Sequence, residues 1–153
     1  MSTRTATSRL PTIARYLLGL VFTVFGLNFF LHFIPTPPPT DPAAGAFLGA
    51  LFASGYVLTI VKLVEIGAGL LLLANRFVPL ALALLAPIVV NIVAFHAVLA
   101  PAGVALPLVV LALELYLAWA YRAAFAPMLR ARVSPAEALP AAAAPVTVPS
   151  ASR

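Results

Sequence analysis

The sequence has no cysteine and very few charged residues, and both shortages exclude whole classes of protein. Only 8% of its 153 residues are charged, whereas a soluble domain carries about 25%. Without cysteine there is no disulfide, no thiolate chemistry and no cysteine-bound metal. Hydrophobic residues make up 63% of the chain and the mean hydropathy is +1.11. An ordinary soluble enzyme, a disordered regulator and a nucleic-acid-binding domain are therefore excluded, and the composition indicates a polytopic membrane protein.

The long hydrophobic runs predict the fold class, an all-α integral membrane bundle of four transmembrane helices. Each run is long enough to cross about 30 Å of hydrocarbon, which takes roughly 20 residues. The predicted spans are residues 13–34, 56–74, 77–98 and 105–124. A fifth apolar stretch, 43–53, is too short to span and is predicted to be an interfacial or re-entrant helix. The alternative is one long, tilted helix from Ala43 onward.

The membrane domain, residues 13–124, is flanked by two tails, 1–12 and 125–153. From about residue 134 the second tail is rich in alanine and proline, and its prolines prevent a regular helix. Because this segment has little apolar surface to bury, we predict that it is disordered. The first span is not a cleaved signal peptide, because its apolar run is too long and no small-x-small cleavage site follows it.

The arginines predict the orientation of the chain in the membrane. All eight lie around the start of the first span, in the turn between the second and third spans, or around and beyond the end of the fourth. The other two connections, 35–55 and 99–104, contain neither lysine nor arginine. By the positive-inside rule, both termini and the turn at Arg76 are cytoplasmic, and the chain is a multi-pass protein of the inner (plasma) membrane.

Polar side chains inside the predicted spans are the candidate functional residues. An ionisable group at this depth costs about 2.5–3.5 kcal/mol on insertion scales, so it needs a partner or a purpose. These side chains lie near the midplane or in the outer half of the bilayer, whereas the inner half is apolar. The predicted ligand pocket consists of Asn28, His32, Lys62, Glu65, Asn91, His96 and Glu114.

Charge pairing within this set suggests a mechanism. Lys62 and Glu65 are three residues apart on one helix, so they are natural ion-pair partners. A purely structural pair that fixes the helix register is an equally good interpretation. Glu114 is then left to be protonated, or to pair with a histidine or an external cation. We therefore predict a proton-responsive pocket that opens outward.

The remaining pocket residues have simpler alternatives. Asn28 and Asn91 suit hydrogen bonds between helices, and His32 and His96 lie close enough to the interface to be ordinary rim residues. No helix carries the H-x-x-x-H or E-x-x-H spacing of a metal ligand pair. We accordingly expect no metal site.

Several short motifs, taken in their order along the chain, carry a family resemblance. They are ARYLLGL at 14–20, FGLN at 25–28, SGY at 54–56, the Lys62…Glu65-Ile66 pair with GLLLL at 69–73, NRFVPL at 75–80, APIVVN at 86–91 and FH at 95–96. By their order and spacing, residues Ala14 to Leu129 resemble the DoxX-like family of small membrane proteins. The resemblance implies a four-helix integral membrane protein. Some relatives are subunits of a thiosulfate:quinone oxidoreductase, and others are tied to a membrane complex that handles oxidative and thiol stress.

We therefore expect a DoxX-like inner-membrane subunit that binds a small amphipathic molecule, such as a quinone, in support of a membrane oxidoreductase. The chain has no evident redox centre, so it is better suited to an accessory subunit than to a self-sufficient enzyme. The expected partners are the lipid bilayer and an oxidoreductase subunit, with a homo-oligomer left open and nucleic acid excluded. One alternative is a proton-coupled transporter that uses Glu65 and Glu114. Another is a non-catalytic assembly or chaperone-like partner, with contact faces at Gly45, Gly49, Gly67 and Gly69.

Overall fold

The computed structural model describes residues 9–35 and 37–132, and every regular element in these two ranges is a helix. The α-helices are α1 (Arg9–Leu31), α2 (Pro42–Ala53), α3 (Val57–Leu73), α4 (Val78–Val98), α5 (Ala105–Ala120) and α6 (Arg122–Phe125). Short 3-10 turns occupy Pro101–Gly103 and Ala126–Leu129. The segment predicted to be disordered, from about residue 134, lies outside the described residues, as do residues 1–8.

Helix length and composition are those of a membrane protein with two to four candidate spans. Both α1 and α4 are long and apolar enough to cross a membrane alone. The number rises to four if α2 with α3, and α5 with the segment Arg122–Leu129, each count as one bent span. The predicted short helix over 43–53 is present as α2, and the alternative of one long helix from Ala43 onward is wrong, because α2 and α3 meet at an angle of 88°.

The helix boundaries follow from local backbone chemistry. Asp41 caps α2 by accepting hydrogen bonds from the amides of Ala43 and Ala44. At the bend, Gly55 has a φ of +76°, which favours glycine. The end of α3 is a Schellman motif, in which Asn75 takes the left-handed conformation and the Arg76 amide donates to the Leu71 carbonyl.

The first helix ends earlier than the predicted span. The span was expected to reach Ile34, but α1 ends at Leu31 and His32 turns the chain in the left-handed conformation. The Asn28 side chain stabilises this turn, since it accepts from the Ile34 amide at 2.6 Å and donates to the Ile34 carbonyl at 3.1 Å. A polar side chain thus satisfies main-chain groups of the non-helical segment that follows α1.

The four long helices form a closed ring in which α1 and α4 are each flanked by α3 and α5, while α2 packs mainly on α3. Helices α1 and α3 run antiparallel, because Gly19 lies against Gly69 whereas Gly26 lies against Ile66. In the half of the bundle near Arg15, the core is closely packed and apolar. Its members include Ala14, Leu18, Leu72, Ala81, Leu82, Leu85 and Leu117.

The α1–α3 contact depends on residues without a bulky side chain. A Cβ atom on Gly69 would lie 2.5 Å from Thr23 Oγ1 and 2.9 Å from both the Gly19 carbonyl oxygen and the Thr23 amide nitrogen. Such close backbone approach through small residues is typical of helix pairs in membranes. Gly67, two residues earlier on α3, has no neighbour within 4 Å of the equivalent position.

A buried arginine locks the same pair of helices. Arg15 of α1, one of the arginines around the start of the first predicted span, is only 4% exposed. Its guanidinium donates to the carbonyl oxygens of Leu72 and Leu73 at the end of α3. A cation at this position complements the negative end of the helix dipole and satisfies carbonyls that have no partner within the helix.

We expect Gly69→Ala to destabilise the bundle, because the added methyl group meets backbone atoms that cannot move independently. Overpacking of this kind lowers the free energy of unfolding by about 1–3 kcal/mol. The matched control is Gly67→Ala, which adds the same methyl group in open space. This control should raise stability by about 0.5–1 kcal/mol through the helix propensity of alanine. Thermal unfolding in detergent, followed by circular dichroism, measures both; equal effects of the two variants would contradict the packing.

Candidate functional site

Two cavities lie in the half of the bundle away from Arg15. The first encloses about 320 Å³ between α1, α3, α4, the turn Pro101–Gly103 and α5. Its walls are Val21, Phe22, Phe25, Lys62, Glu65, Ile92, His96, Gly103, Leu106, Pro107 and Val110. The volume lies at the lower end of the range for small-molecule sites, about 300–1,000 Å³. Its lining is mostly apolar, with three side chains that carry chemistry.

The second cavity lies beside the first, between α2, α3 and α4, and encloses about 440 Å³. Its walls are Phe47, Leu48, Leu51, Val57, Leu58, Val61, Lys62, Pro87, Ile88, Asn91, Ile92, Phe95 and His96. Lys62, Ile92 and His96 line both cavities. These three side chains therefore form the boundary between the two spaces.

The Lys62–Glu65 ion pair supplies the charge of the site. Lys62 Nζ lies 3.0 Å from Glu65 Oε1 and 2.8 Å from Oε2, so the carboxylate is held by both oxygens. The Glu65 side chain is 3% exposed and that of Lys62 is 23% exposed. An ammonium group has three donors, and the partial exposure of Lys62 leaves it accessible to a ligand. Lys62 can therefore donate to an acceptor in either cavity.

His96 has an orientation fixed by its own helix. Its Nδ1 lies 2.8 Å from the carbonyl oxygen of Ile92. Because a carbonyl can only accept, Nδ1 carries the proton, and Nε2 of the neutral ring is an acceptor. Gly103 leaves room for the ring, since a Cβ atom there would lie 3.0 Å from His96 Cδ2. The site thus combines a donor, Lys62, with an acceptor, His96.

Glu114 is buried but lines neither cavity. It is 4% exposed, and its Oε2 has no hydrogen-bond partner. Within the described residues, Thr23 Oγ1 is the other buried side-chain oxygen without a partner. Val110, one helical turn before Glu114, lies in the wall of the first cavity. Glu114 therefore lies one helical turn beyond the cavity wall along α5, and its buried carboxyl group is available to hold a proton.

The structure brings together only part of the predicted pocket. Lys62, Glu65 and His96 share the first cavity. Asn91 belongs to the second cavity and is otherwise exposed on α4. Asn28 and His32 line neither cavity: the first is bonded to the main chain of Ile34, and the second is exposed in the turn. The expected hydrogen bond of Asn28 between helices is thus replaced by one within its own segment.

Most of the cavity wall was not anticipated from the sequence. The missed residues are aromatic or aliphatic, such as Phe22 and Phe25 of α1 and Val110 of α5. In a chain this apolar, a hydrophobic side chain carries no signal that separates a cavity wall from a lipid-facing surface. Within residues 9–35 and 37–132, no three His, Asp or Glu side chains come together as a metal site.

We expect the Lys62→Met variant to be less stable than the double variant Lys62→Met/Glu65→Leu. The single change leaves a buried carboxylate without its partner, whereas the double change replaces the pair by apolar groups. Lys62 is partly exposed, so its loss should cost about 1–3 kcal/mol, between the values for exposed and buried pairs. Unfolding in a graded detergent series gives the stability of the unmodified protein, of each single variant and of the double variant. If the effects of the two single changes simply add in the double variant, the two residues are not a coupled pair.

Comparisons with known proteins do not assign the chain to a family. The resemblance of residues Ala14 to Leu129 to the DoxX-like family therefore stays a prediction, and the site has to be interpreted from its own geometry. No protein-family model matches the chain, and neither a curated protein nor a solved structure shows significant similarity to it.

Proposed function

We propose that this protein crosses the inner membrane four times and binds a small amphipathic molecule of the quinone type at Lys62, as an accessory subunit of a membrane oxidoreductase. The observation that carries the proposal is the Lys62–Glu65 ion pair in the wall of an otherwise apolar cavity. Ionisable groups buried inside a membrane bundle are costly and rare, and they commonly mark a functional site.

The polar groups match the head group of a quinone. A quinone carbonyl oxygen accepts a hydrogen bond, which Lys62 can donate. The hydroxyl group of the reduced form donates, and Nε2 of His96 can accept. Phe22 and Phe25 offer aromatic surface to the ring within the same cavity. Because the chain contains no cysteine and no evident redox centre, electrons must come from the partner subunit.

The packing favours binding over transport. The cavities occupy one half of the bundle, and the other half is filled by closely packed apolar side chains such as Leu18, Leu72 and Leu117. A solute that crossed the membrane would have to open this core. The observation that favours proton-coupled transport as a second candidate is the buried, unpartnered oxygen of Glu114. Proton-gradient-dependent uptake into proteoliposomes would support that alternative.

The positions of the arginines support an orientation with both termini in the cytoplasm. Arg15, Arg76 and Arg122 all lie at the same end of the antiparallel bundle, opposite the cavities. Arg122 lies over the ring of Trp119 at 4.7 Å, and Arg15 lies over Tyr16 at 4.5 Å. Such pairs of aromatic and basic residues are common at membrane interfaces. The cavities would then lie in the outer half of the membrane.

Labelling of single cysteines tests the number of spans, and the natural absence of cysteine makes the experiment clean. With four spans, Ala102→Cys reacts with a membrane-impermeant maleimide in intact spheroplasts, whereas Ala74→Cys reacts only after permeabilisation. If only α1 and α4 cross the membrane, the two positions exchange sides and the labelling pattern is reversed. Unmodified protein is the control for background labelling.

Mass spectrometry of quinones and lipids retained in mild detergent tests the ligand. We expect a near-stoichiometric quinone in the unmodified protein and at least a tenfold loss in Lys62→Met, equivalent to about 1.4 kcal/mol of binding free energy. The matched control is Leu63→Met on the exposed face of the same helix, which should retain quinone normally. Glu114→Gln is included because Glu114 is buried one helical turn beyond the cavity wall.

The possible outcomes separate the proposals. Equal lipid retention by all variants, without quinone, would overturn the quinone assignment. It would favour the non-catalytic assembly partner, in which the ion pair only stabilises the bundle. Phospholipid that is lost specifically in Lys62→Met would instead identify a lipid phosphate as the acceptor. Each variant is compared only after its thermal unfolding shows that it remains folded.

A further inference from the structure

We infer that the two cavities form a single site, in which the second cavity holds the apolar chain of the ligand whose head group lies in the first. This inference rests on the proposed function and deepens it, because it specifies the class of ligand. The expected occupant is a quinone with an isoprenoid chain, rather than a small tailless quinone or a free polar solute.

The first step of the argument is the shared boundary. Lys62, Ile92 and His96 line both cavities, so the two spaces meet at the side chains that would hold the head group. A head group bonded to Lys62 is therefore already at the entrance to the second cavity. Each cavity alone has the volume of a small-molecule site, and their combined volume still lies within the range of about 300–1,000 Å³.

The second step is the unequal distribution of polar groups. The carboxylate of Glu65 belongs only to the first cavity. Apart from the shared Lys62 and His96, Asn91 is the polar side chain in the lining of the second cavity. The remaining walls are hydrocarbon or aromatic, with Phe47 and Leu51 of α2 facing Val61 of α3 and Ile88 of α4 across the space. Such walls favour an apolar chain over a second head group.

The third step is the nature of the wall that α2 provides. This helix packs mainly on α3 and makes few contacts with the rest of the bundle. Two aromatic pairs attach it to the long helices: Phe47 with Phe95, at 5.8 Å between ring centroids, and Phe52 with Phe29, at 5.9 Å. The second cavity therefore lies at the lightly packed side of the bundle, where a chain dissolved in the bilayer would enter.

The test is a binding series with quinones that share one ring and differ only in chain length, with no, one or two isoprene units. Affinity for the purified full chain is measured by calorimetry at a constant detergent concentration. We expect about a tenfold gain for each isoprene unit, since the chain exchanges loosely packed detergent for close contacts with the cavity walls, and about ten such carbon contacts together correspond to that factor. Val61→Phe should remove this gain, because its ring fills the second cavity, and should leave the affinity for the tailless quinone unchanged.

Three further variants make the result decisive. Ile88→Phe fills the same cavity from α4 and replaces Val61→Phe if that variant does not fold. Val90→Phe makes the same kind of change on the exposed face of α4, so it controls for added hydrophobicity and should keep the full chain-length gain. Lys62→Met should weaken all members of the series by a similar factor, because it acts on the shared head group.

The outcomes distinguish this inference from the function on which it rests. If the tailless quinone binds but chain length has no effect, or if the gain persists in both cavity-filling variants, the assignment of the second cavity is overturned and the head-group site stands. If no quinone of the series binds, the proposed function fails and the inference fails with it. Displacement of bound quinone by short-chain phosphatidylglycerol in a Val61-dependent manner would overturn the quinone as the natural occupant.

Discussion

The close approach of α1 and α3 is the constraint on which the rest of the structure depends. Gly19 and Gly69 bring the two backbones so near that a Cβ atom on either would lie 2.9 Å from the carbonyl oxygen of the other. In a bilayer the lipid tails are as apolar as the helix surfaces, so helix association relies on such close packing rather than on the hydrophobic effect. Arg15 adds charge-assisted hydrogen bonds to the end of α3 in the same interface.

This interface also positions the Lys62–Glu65 ion pair. Gly26 lies against Ile66 and the carbonyl oxygen of Lys62, so the same antiparallel contact sets the depth of the Lys62–Glu65 pair relative to Phe22 and Phe25 of α1. The ring of His96, in the wall of the same cavity, is held by its own helix, and Gly103 leaves room for it. The half of the bundle that contains the cavities is therefore built on the closely packed half.

Particular residues show how far sequence reasoning reaches. The pairing of Lys62 with Glu65 was predicted from their spacing, and the structure contains that ion pair. The burial of Glu114 also follows from its position in an apolar run. Asn28 and His32 were assigned to the pocket because they lie at a similar depth in the membrane. Depth in the membrane, however, does not determine which way a side chain points. His32 lies in a left-handed turn just after the end of α1. The Asn28 side chain accepts a hydrogen bond from the Ile34 amide and so closes that turn.

The sequence alone determined the class of protein, the hydrophobic segments and the ion pair, because composition and spacing within one helix depend only on local order. Tertiary structure decided which helices meet, that Arg15 is buried against the end of α3, and that Lys62 and His96 lie between two cavities. These features depend on the rotation of each helix about its axis. In a chain whose helices are apolar on almost every face, hydrophobic periodicity does not specify that rotation; the contacts of a few small and polar residues do.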